Sequence, residues 1–200
     1  VKAASGLKMA QFRCSIFPAE PAWLAEFAGL YRSRVGLPFY CHVRADHITD
    51  EVADLLAEAG CHSVNMGIEC ADEDYRRTVL ERPMRNDRIR QACDRLHRRG
   101  IRILADNMLG LPGRGLEDDL RTLRMNVECG IDYPLAMIFQ PYPGTGLDAY
   151  ARAHGHFDGN YDALDFNYYL SSPLRFASQR QRWEVENLHK FFAVAVEAPW

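Results

Sequence analysis

The chain alternates between short apolar runs that suit β-strands and longer segments with apolar residues at helical spacing. Strand-like runs occur at residues 7–12, 37–43, 62–68, 101–109 and 133–139, and strand and helix alternate five times. Strands that are separated by helices run parallel, with the helices outside the sheet. The pattern therefore predicts an α/β fold, either an open doubly wound sheet or a (β/α) barrel.

Local signals predict where several helices begin and end. Thr49 is a suitable N-cap for the helix that follows the second strand, and Gly60 is suited to close it. Gly100 and Gly130 are placed to end two later helices in the same way. These signals support the alternation independently of the apolar pattern.

The alternation ends near Gly155, where the character of the sequence changes. Aromatic residues then occur among Asp, Asn and Ser, and residues 179–196 show the spacing of one last helix. We therefore predict a barrel domain at residues 1–155 and an aromatic-rich loop and helix at 156–200, packed on the barrel edge or on a partner domain. The aromatic residues of the loop are Phe157, Tyr161, Phe166, Tyr168 and Tyr169.

Composition excludes several classes of partner. The 24 basic and 27 acidic residues are well mixed, so no field of one sign favours nucleic acid or an anionic membrane. A membrane span needs an apolar run of about 18 residues, and none is predicted. Six scattered cysteines are typical of free thiols in a reducing compartment, and residues 1–8 do not resemble a signal peptide. We expect a cytoplasmic protein.

Two other groups of polar residues are interpreted as surface features. His154 and His156 flank Gly155, but no thiol or carboxylate stands at a known metal-ligand spacing, which favours a loop. An arginine-rich stretch also contains Asp87 and Asp94, and this mixture of charges favours a solvated helix face. Its members are Arg82, Arg85, Arg88, Arg90, Arg95, Arg98 and Arg99.

The carboxyl ends of the predicted strands carry the candidate functional residues, because these ends and the loops after them form the active face of a parallel barrel. Arg44, Glu69, Asn107 and Gln140 each stand at or near such an end. A carboxylate at the position of Glu69 could accept hydrogen bonds from ligand hydroxyls, or it could belong to the acidic start of the next helix. The residue alone does not decide between these interpretations.

The turn Leu109–Gly113 follows the fourth strand and reads Leu-Gly-Leu-Pro-Gly. Gly110 and Gly113 permit positive φ angles and a close approach of the backbone to a ligand. The fifth strand ends in a second turn, Pro141–Thr145. Either turn by itself predicts only a change of chain direction.

Eight short motifs stand in a fixed order along residues 10–155. They are Arg44–Thr49, Leu56–Cys61, Gly67–Glu69, Leu80–Arg82, Gly100–Arg102, Leu109–Gly113, Glu117–Asp119 with Thr122, and Pro141–Thr145. In this order and spacing they resemble the radical SAM superfamily. The resemblance is strongest to the branch that carries a cobalamin-binding domain in front of the barrel.

The resemblance implies a partial (β/α) TIM-like barrel of parallel strands, here without its first strand and with a C-terminal helical extension. It also implies S-adenosylmethionine and a four-iron four-sulfur cluster at the carboxyl-end face, where reductive cleavage yields a 5′-deoxyadenosyl radical. In the cobalamin branch, methylcobalamin often serves as methyl donor. The implied function is a methyltransferase or a related radical catalyst that acts on a small molecule or a peptide.

The resemblance also assigns roles to individual residues. Glu69 falls where a polar residue contacts the ribose, the backbone of Met108–Leu111 lies near the adenine, and Arg44 faces the cofactor. We therefore expect a cofactor-binding set, whereas no catalytic residue and no metal ligand is predicted. The set comprises Arg44, Glu69, Asn107, Met108, Gly110, Leu111 and Gln140.

The sequence departs from the family pattern in two places. The Cys-x3-Cys-x2-Cys loop that holds the cluster is absent, and Cys14 and Ser15 replace a usual acidic pair. The cluster and cobalamin are therefore expected only in a longer parent protein that has the cluster loop and the cobalamin domain upstream. Two alternatives to a radical SAM enzyme remain open. One is a degenerate, non-catalytic barrel that serves as a binding or scaffold module, and the other is a TIM-type enzyme whose Gly-Leu-Pro-Gly loop binds phosphate.

Overall fold

The computed structural model describes residues 6–17, 19–164, 167 and 170–199. Its strands form one parallel sheet in the order β1-β2-β3-β4-β5. In the registers of the first two pairs, Ala10 lies opposite Phe39 and Cys41 opposite Val64. The strands are β1 Ala10–Phe12, β2 Phe39–Val43, β3 Cys61–Glu69, β4 Arg102–Leu109 and β5 Tyr133–Ile138.

The strand order decides between the two predicted architectures. A doubly wound sheet reverses its order at a switch point, whereas each strand here lies beside its neighbour in sequence. The α/β fold with parallel strands is confirmed, and the sequential order is the one that a (β/α) barrel has.

Helices connect the strands at the predicted places, and two more helices follow the last strand. They are α1 Pro21–Arg34, α2 Asp50–Ala59, α3 Glu73–Thr78, α4 Asn86–His97, α5 Leu116–Glu128, α6 Gly146–Ala153 and α7 Gln179–Glu197. Single 3₁₀ turns lie at Ala45–His47 and Tyr161–Ala163. The C-terminal helical extension, α7, is confirmed.

Side-chain caps account for several helix ends. The Thr49 hydroxyl accepts a hydrogen bond from the Val52 amide at 3.1 Å, and Gly60 adopts φ +90° after α2, so both predicted signals are confirmed. Helix α6 was not predicted, because its eight residues begin with Gly146 and span barely two turns. Its cap is Thr145, whose hydroxyl accepts from the Asp148 amide at 3.2 Å.

The chain divides into two compact units. The first comprises the chain up to Gly67 together with Asp87–Ala105 and Cys129–Tyr133. Its core contains an aromatic cluster whose ring centroids lie 5.1–5.9 Å apart, and α1 packs on α2. The cluster contains Phe12, Phe17, Phe27, Tyr31 and Phe39.

The second unit comprises Ile68–Asn86, Asp106–Glu128 and the chain from Pro134 onward. One apolar cluster surrounds Leu111 and Phe139, another surrounds Leu109 and Val185, and α7 packs on α5. The predicted domain boundary near Gly155 stays a prediction. Of the loop aromatics, Phe166, Tyr168 and Tyr169 lie outside the described residues. In the described part of the chain, no helix combines the length and apolar character needed to cross a bilayer.

A buried amide pair joins β4 to α5 inside the second unit. Asn107 Nδ2 donates to Asn126 Oδ1 at 3.1 Å, and Asn126 Nδ2 donates to Asn107 Oδ1 at 2.8 Å. Asn107 also donates to the Leu135 carbonyl on β5, and Asn126 to the Thr122 carbonyl. Both side chains are fully buried, so these bonds satisfy polar atoms that could not otherwise reach water.

Candidate functional site

Strand alternation sorts the residues at the ends of β3 and β4 between two faces. Ile68, Asn107 and Leu109 are buried on the face that packs against the helices, whereas Glu69 and Met108 are half-buried on the opposite face. Successive side chains of a strand point to opposite faces of the sheet. Glu69 and Met108 are thus placed where a ligand at the carboxyl ends of the strands could reach them.

Glu69 and Met108 line one cavity, which we call the Glu69 cavity. Its volume is about 270 Å³. This is slightly below the range of about 300–1,000 Å³ for pockets that enclose a whole drug-sized ligand, so the cavity fits one end of such a molecule. The other lining residues are Val79, Leu80, Glu81, Arg82, Gly146 and Leu147.

One ion pair spans the polar side of this cavity. The Arg82 guanidinium contacts the Glu69 carboxylate, which is only 13% exposed. A carboxylate held by a cation and largely shielded from water keeps one orientation. Glu69 is thus a fixed hydrogen-bond acceptor beside the apolar side chains of Val79 and Met108.

The backbone at this cavity adopts an uncommon conformation. Glu69 has φ +66° and Glu81 has φ +52°, and these are the non-glycine residues with positive φ in the described ranges. The left-handed region costs an L-residue with a side chain about 1–2 kcal/mol. Such strain persists where the surrounding structure imposes it, and it is concentrated at functional sites. Both strained residues line the same cavity.

A buried arginine holds the loop that leaves β3. Arg76 has no exposed surface, and its guanidinium donates to the carbonyls of Cys70 and Met84 and to Asn86 Oδ1. Asn86 in turn donates to the Ala71 carbonyl at 2.9 Å. Burial lowers the pKa of Arg76, the direction expected for a cation in a poorly solvated place. These bonds fix both ends of the segment that carries Val79 to Arg82.

A buried carboxylate holds the Leu109–Gly113 turn. The Gly110 amide donates to Asp119 Oδ2 at 3.1 Å and to Oδ1 at 3.3 Å. Asp119 lies in the first turn of α5, and burial raises its pKa to about 7. The Tyr75 hydroxyl donates to the Pro112 carbonyl at 3.0 Å and fixes the other side of the turn.

Gly110 cannot carry a side chain without disturbing this packing. It has φ +64°, and a Cβ there would lie 2.9 Å from Val185 Cγ1 on α7. The glycine therefore answers two separate requirements, a left-handed backbone and a close approach of α7.

The remaining predicted residues do not line the Glu69 cavity. Leu111 is buried and lines a different cavity of about 200 Å³ beside Gly113 and His156. Gln140 is buried and donates to the Ser171 carbonyl at 2.9 Å. Arg44, in the first unit, forms a two-bond ion pair with Asp46. Asn107 bonds Asn126 and Leu135, as described above. A ligand-binding role for these residues stays a prediction.

Arg82 corrects one interpretation made from the sequence. It was grouped with the arginines of a solvated helix face, yet it precedes α4 and contacts Glu69 in the cavity. Three of the others do belong to surface ion pairs, since Arg95 and Arg98 contact Asp50 and Arg99 contacts Asp54. The motif Leu80–Arg82 was the available signal, because it set Arg82 apart from the helical pattern.

The cysteines do not form a cluster site. Five of the six are buried free thiols and Cys14 is exposed. Cys41 lies beside Cys61 and Cys93 beside Cys129, and in each pair the hydrogen bond with the neighbouring thiol, together with burial, raises the pKa of the first-named cysteine. Within the described residues, no three His, Cys, Asp or Glu side chains are grouped so that they could hold a metal ion. An iron–sulfur cluster, which needs three thiolates together, does not fit this arrangement.

Comparison with known proteins places the chain in a family. The sequence model of the Radical SAM superfamily matches residues 14–125, more than half of the chain. The chain belongs to the radical SAM superfamily. In this superfamily member, Glu69, Met108 and the Leu109–Gly113 turn fall within the matched segment, whereas Gly146 and Leu147 of the Glu69 cavity lie beyond it.

Curated relatives match part of the chain. An uncharacterized methyltransferase of Pyrococcus horikoshii is 31% identical over 114 residues, which are 56% of this chain and 24% of that protein. The chain spans less than half the length of the curated relatives it matches.

Two solved structures share the fold at low sequence identity. Coproporphyrinogen III oxidase HemN from Escherichia coli, a radical SAM enzyme, has a TM-score of 0.62 at 17% identity, covering 89% of this chain and 37% of its own. The radical S-adenosylmethionine methyltransferase TsrM from Kitasatospora setae, with cobalamin and an iron–sulfur cluster bound, has a TM-score of 0.63 at 18% identity, covering 78% and 33%.

Replacing Gly110 by alanine separates backbone strain from steric clash. Gly100→Ala is the matched control, since Gly100 has φ +70° but nothing lies within 4 Å of a Cβ there. We expect Gly100→Ala to lower the free energy of unfolding by about 1 kcal/mol through strain. Gly110→Ala should lower it by about 3 kcal/mol because Val185 is also displaced. Equal losses in urea denaturation would show that α7 does not pack on this turn.

The buried Asp119 predicts a pH dependence of stability. In the folded chain its pKa is raised from 3.8 to about 7, so the folded state binds one more proton than the unfolded state between these values. Stability should therefore fall as the pH rises through this window, by up to about 1.4 kcal/mol per pH unit. Asp119→Asn should remove this slope and the exposed Asp94→Asn should keep it. Denaturation midpoints at several pH values measure both, and an unchanged slope in Asp119→Asn would contradict the assignment.

Proposed function

We propose that this chain supplies the adenosylmethionine-facing strands of a cobalamin-dependent radical SAM methyltransferase. The observation that carries the proposal is the Glu69 cavity, where a fixed carboxylate stands beside apolar side chains at the carboxyl end of β3. The superfamily assignment supplies the ligand that such a cavity would take.

The residues of the cavity suit the adenosyl end of S-adenosylmethionine. A carboxylate has two oxygens that can accept hydrogen bonds from the vicinal hydroxyls of a ribose. Hydrogen bonds to a charged acceptor are stronger than those to a neutral one. Met108, Val79, Leu80 and Leu147 offer an apolar surface for a flat base. Arg82 would act as a positioning residue that orients the Glu69 carboxylate towards the ligand.

Adenosylmethionine, when bound, would supply the adenosyl group and the methyl group for the proposed methyl transfer. The chain's own residues bind and orient it. The cysteine arrangement does not fit an iron–sulfur cluster, so the described residues do not supply the three thiolates that such a cluster needs. A cluster and cobalamin belong, in this proposal, to a longer parent protein with additional upstream domains.

The methyltransferase assignment rests on the relatives. The Pyrococcus protein is named a methyltransferase, and TsrM is a methyltransferase that was solved with cobalamin bound. We propose a small molecule or a peptide as substrate, and neither nucleic acid nor a membrane as partner, because the charges of the chain are mixed. A cytoplasmic location is part of the same proposal, since free thiols suit a reducing compartment.

Binding of adenosylmethionine and of S-adenosylhomocysteine tests the proposal at Glu69. In Glu69→Gln the shape is kept but the charge is lost, so hydrogen bonds from ligand hydroxyls weaken. We expect both ligands to bind about tenfold more weakly in calorimetric titration, because charged hydrogen bonds exceed neutral ones by about 1–1.5 kcal/mol. Arg82→Met should weaken binding in the same direction.

Glu26→Gln, an exposed change on α1, is the matched control and should bind as the unaltered chain does. Equal affinity of Glu69→Gln and the unaltered chain would contradict the proposed site. Phosphate esters that compete with adenosylmethionine would instead support a phosphate-binding barrel enzyme. Tight binding by a full-length parent that forms no 5′-deoxyadenosine after anaerobic reconstitution would support the non-catalytic binding module.

A further inference from the structure

The outward face of α7 carries apolar and charged side chains that none of the described residues covers. Trp183 is 57% exposed, Phe191 63% and Val194 59%. Soluble monomers seldom leave several large apolar side chains exposed side by side, and such patches mark interaction sites. Beside this face, a groove of about 810 Å³ runs between α5 and α7 and is lined mainly by apolar residues, among them four leucines and Phe191.

Six of the exposed residues of α7 stand at alternating spacings of three and four. We call these six positions the α7 stripe: Arg180, Trp183, Asn187, Lys190, Val194 and Glu197, all of which are exposed. Steps of three and four residues are the repeat by which two helices keep one seam in contact. A second helix is therefore the partner geometry that this spacing fits.

The order of residues in the α7 stripe is complementary to itself when reversed. In an antiparallel pair of α7 helices, Arg180 meets Glu197 of the second copy, Trp183 meets Val194, and Asn187 meets Lys190. These layers are an ion pair, an apolar contact and an amide–ammonium hydrogen bond. Each layer occurs twice, because a two-fold axis relates the copies.

We propose that two copies of this chain associate through antiparallel α7 helices. The charge at each end of the stripe favours this orientation, since a parallel pair would place Arg180 against Arg180 and Glu197 against Glu197. Within one copy, Arg180 pairs with Glu184 at 2.9 Å and Lys190 bonds Asn187 at 3.2 Å. These contacts lie at the surface, so they can be exchanged for contacts with the second copy. Phe191 and the groove beside the stripe add apolar area to the interface.

Charge reversal with rescue tests both the surface and the orientation. Arg180→Glu and Glu197→Arg each place like charges opposite one another twice, so each should raise the dimer dissociation constant by about tenfold or more. The double variant restores both pairs and should restore association. Arg88→Glu, an exposed reversal on α4, is the control and should leave association unchanged. Sedimentation equilibrium measures all four variants.

Cysteine pairing tests the register independently. Asn187→Cys combined with Lys190→Cys, in a chain with the exposed Cys14 changed to serine, should give a covalent dimer under air oxidation. Asn187→Cys alone should give much less, because residue 187 faces residue 190 of the second copy. Each disulfide forms from two thiols, with molecular oxygen as the oxidant.

Three results would overturn the proposal. They are a monomer mass up to about 0.5 mM protein, a dimer that the double charge reversal fails to restore, and equal cross-linking by the single and double cysteine variants. The chain could instead be monomeric, with Trp183 shielded from fluorescence quenchers only within a longer parent protein. That result would show that another part of the parent protein covers this face of α7. Adenosylmethionine binding is measured separately, so failure here leaves the proposed function standing.

Discussion

The Arg76 guanidinium is the interaction on which the candidate site depends. It is fully buried, and it ties the carbonyl that follows Glu69 by one residue to the carbonyl of Met84 and to Asn86. The intervening segment carries Val79 to Arg82, so the same cation fixes both the carboxylate and the arginine that faces it. A buried cation without these acceptors would cost several kcal/mol. The strained φ angles of Glu69 and Glu81 are compatible with a segment held at both ends in this way.

The sequence was sufficient to predict the strands, most helices and the caps at Thr49 and Gly60, because these depend on local periodicity and local hydrogen bonds. It also singled out Glu69 through its place at a strand end, whereas Met108 was singled out through the family resemblance. It could not show that the Asn107 side chain would be hydrogen-bonded to Asn126, because that pair joins residues of two different elements, β4 and α5. Arg82 was assigned to the surface for the same reason, as its partner lies thirteen residues earlier. The raised pKa of Asp119 follows from burial, which only tertiary packing determines.

In the second unit, hydrogen bonds and close packing together fix the Leu109–Gly113 turn at the carboxyl end of β4. Asp119 and Tyr75 hold the Leu109–Gly113 turn from either side, and α7 packs so closely on Gly110 that a methyl group would not fit. Met108, one residue before this packed segment, is left facing the cavity. A rigid turn beside a partly open cavity is the arrangement that preorganised binding requires. Five cysteines are buried and Cys14 is exposed, and none of the six lines the Glu69 cavity.

In the proposed function, the Glu69 cavity holds the adenosyl end of S-adenosylmethionine, so the bound ligand lies beside the Met108 side chain. Methyl-labelled methionine gives one NMR signal for each of the six methionines, and Met108→Leu assigns the signal of Met108. On titration with adenosylmethionine, the account predicts a saturable shift of the Met108 methyl signal, while Met125, buried on α5, stays unchanged. Binding that leaves Met108 unmoved would contradict the account.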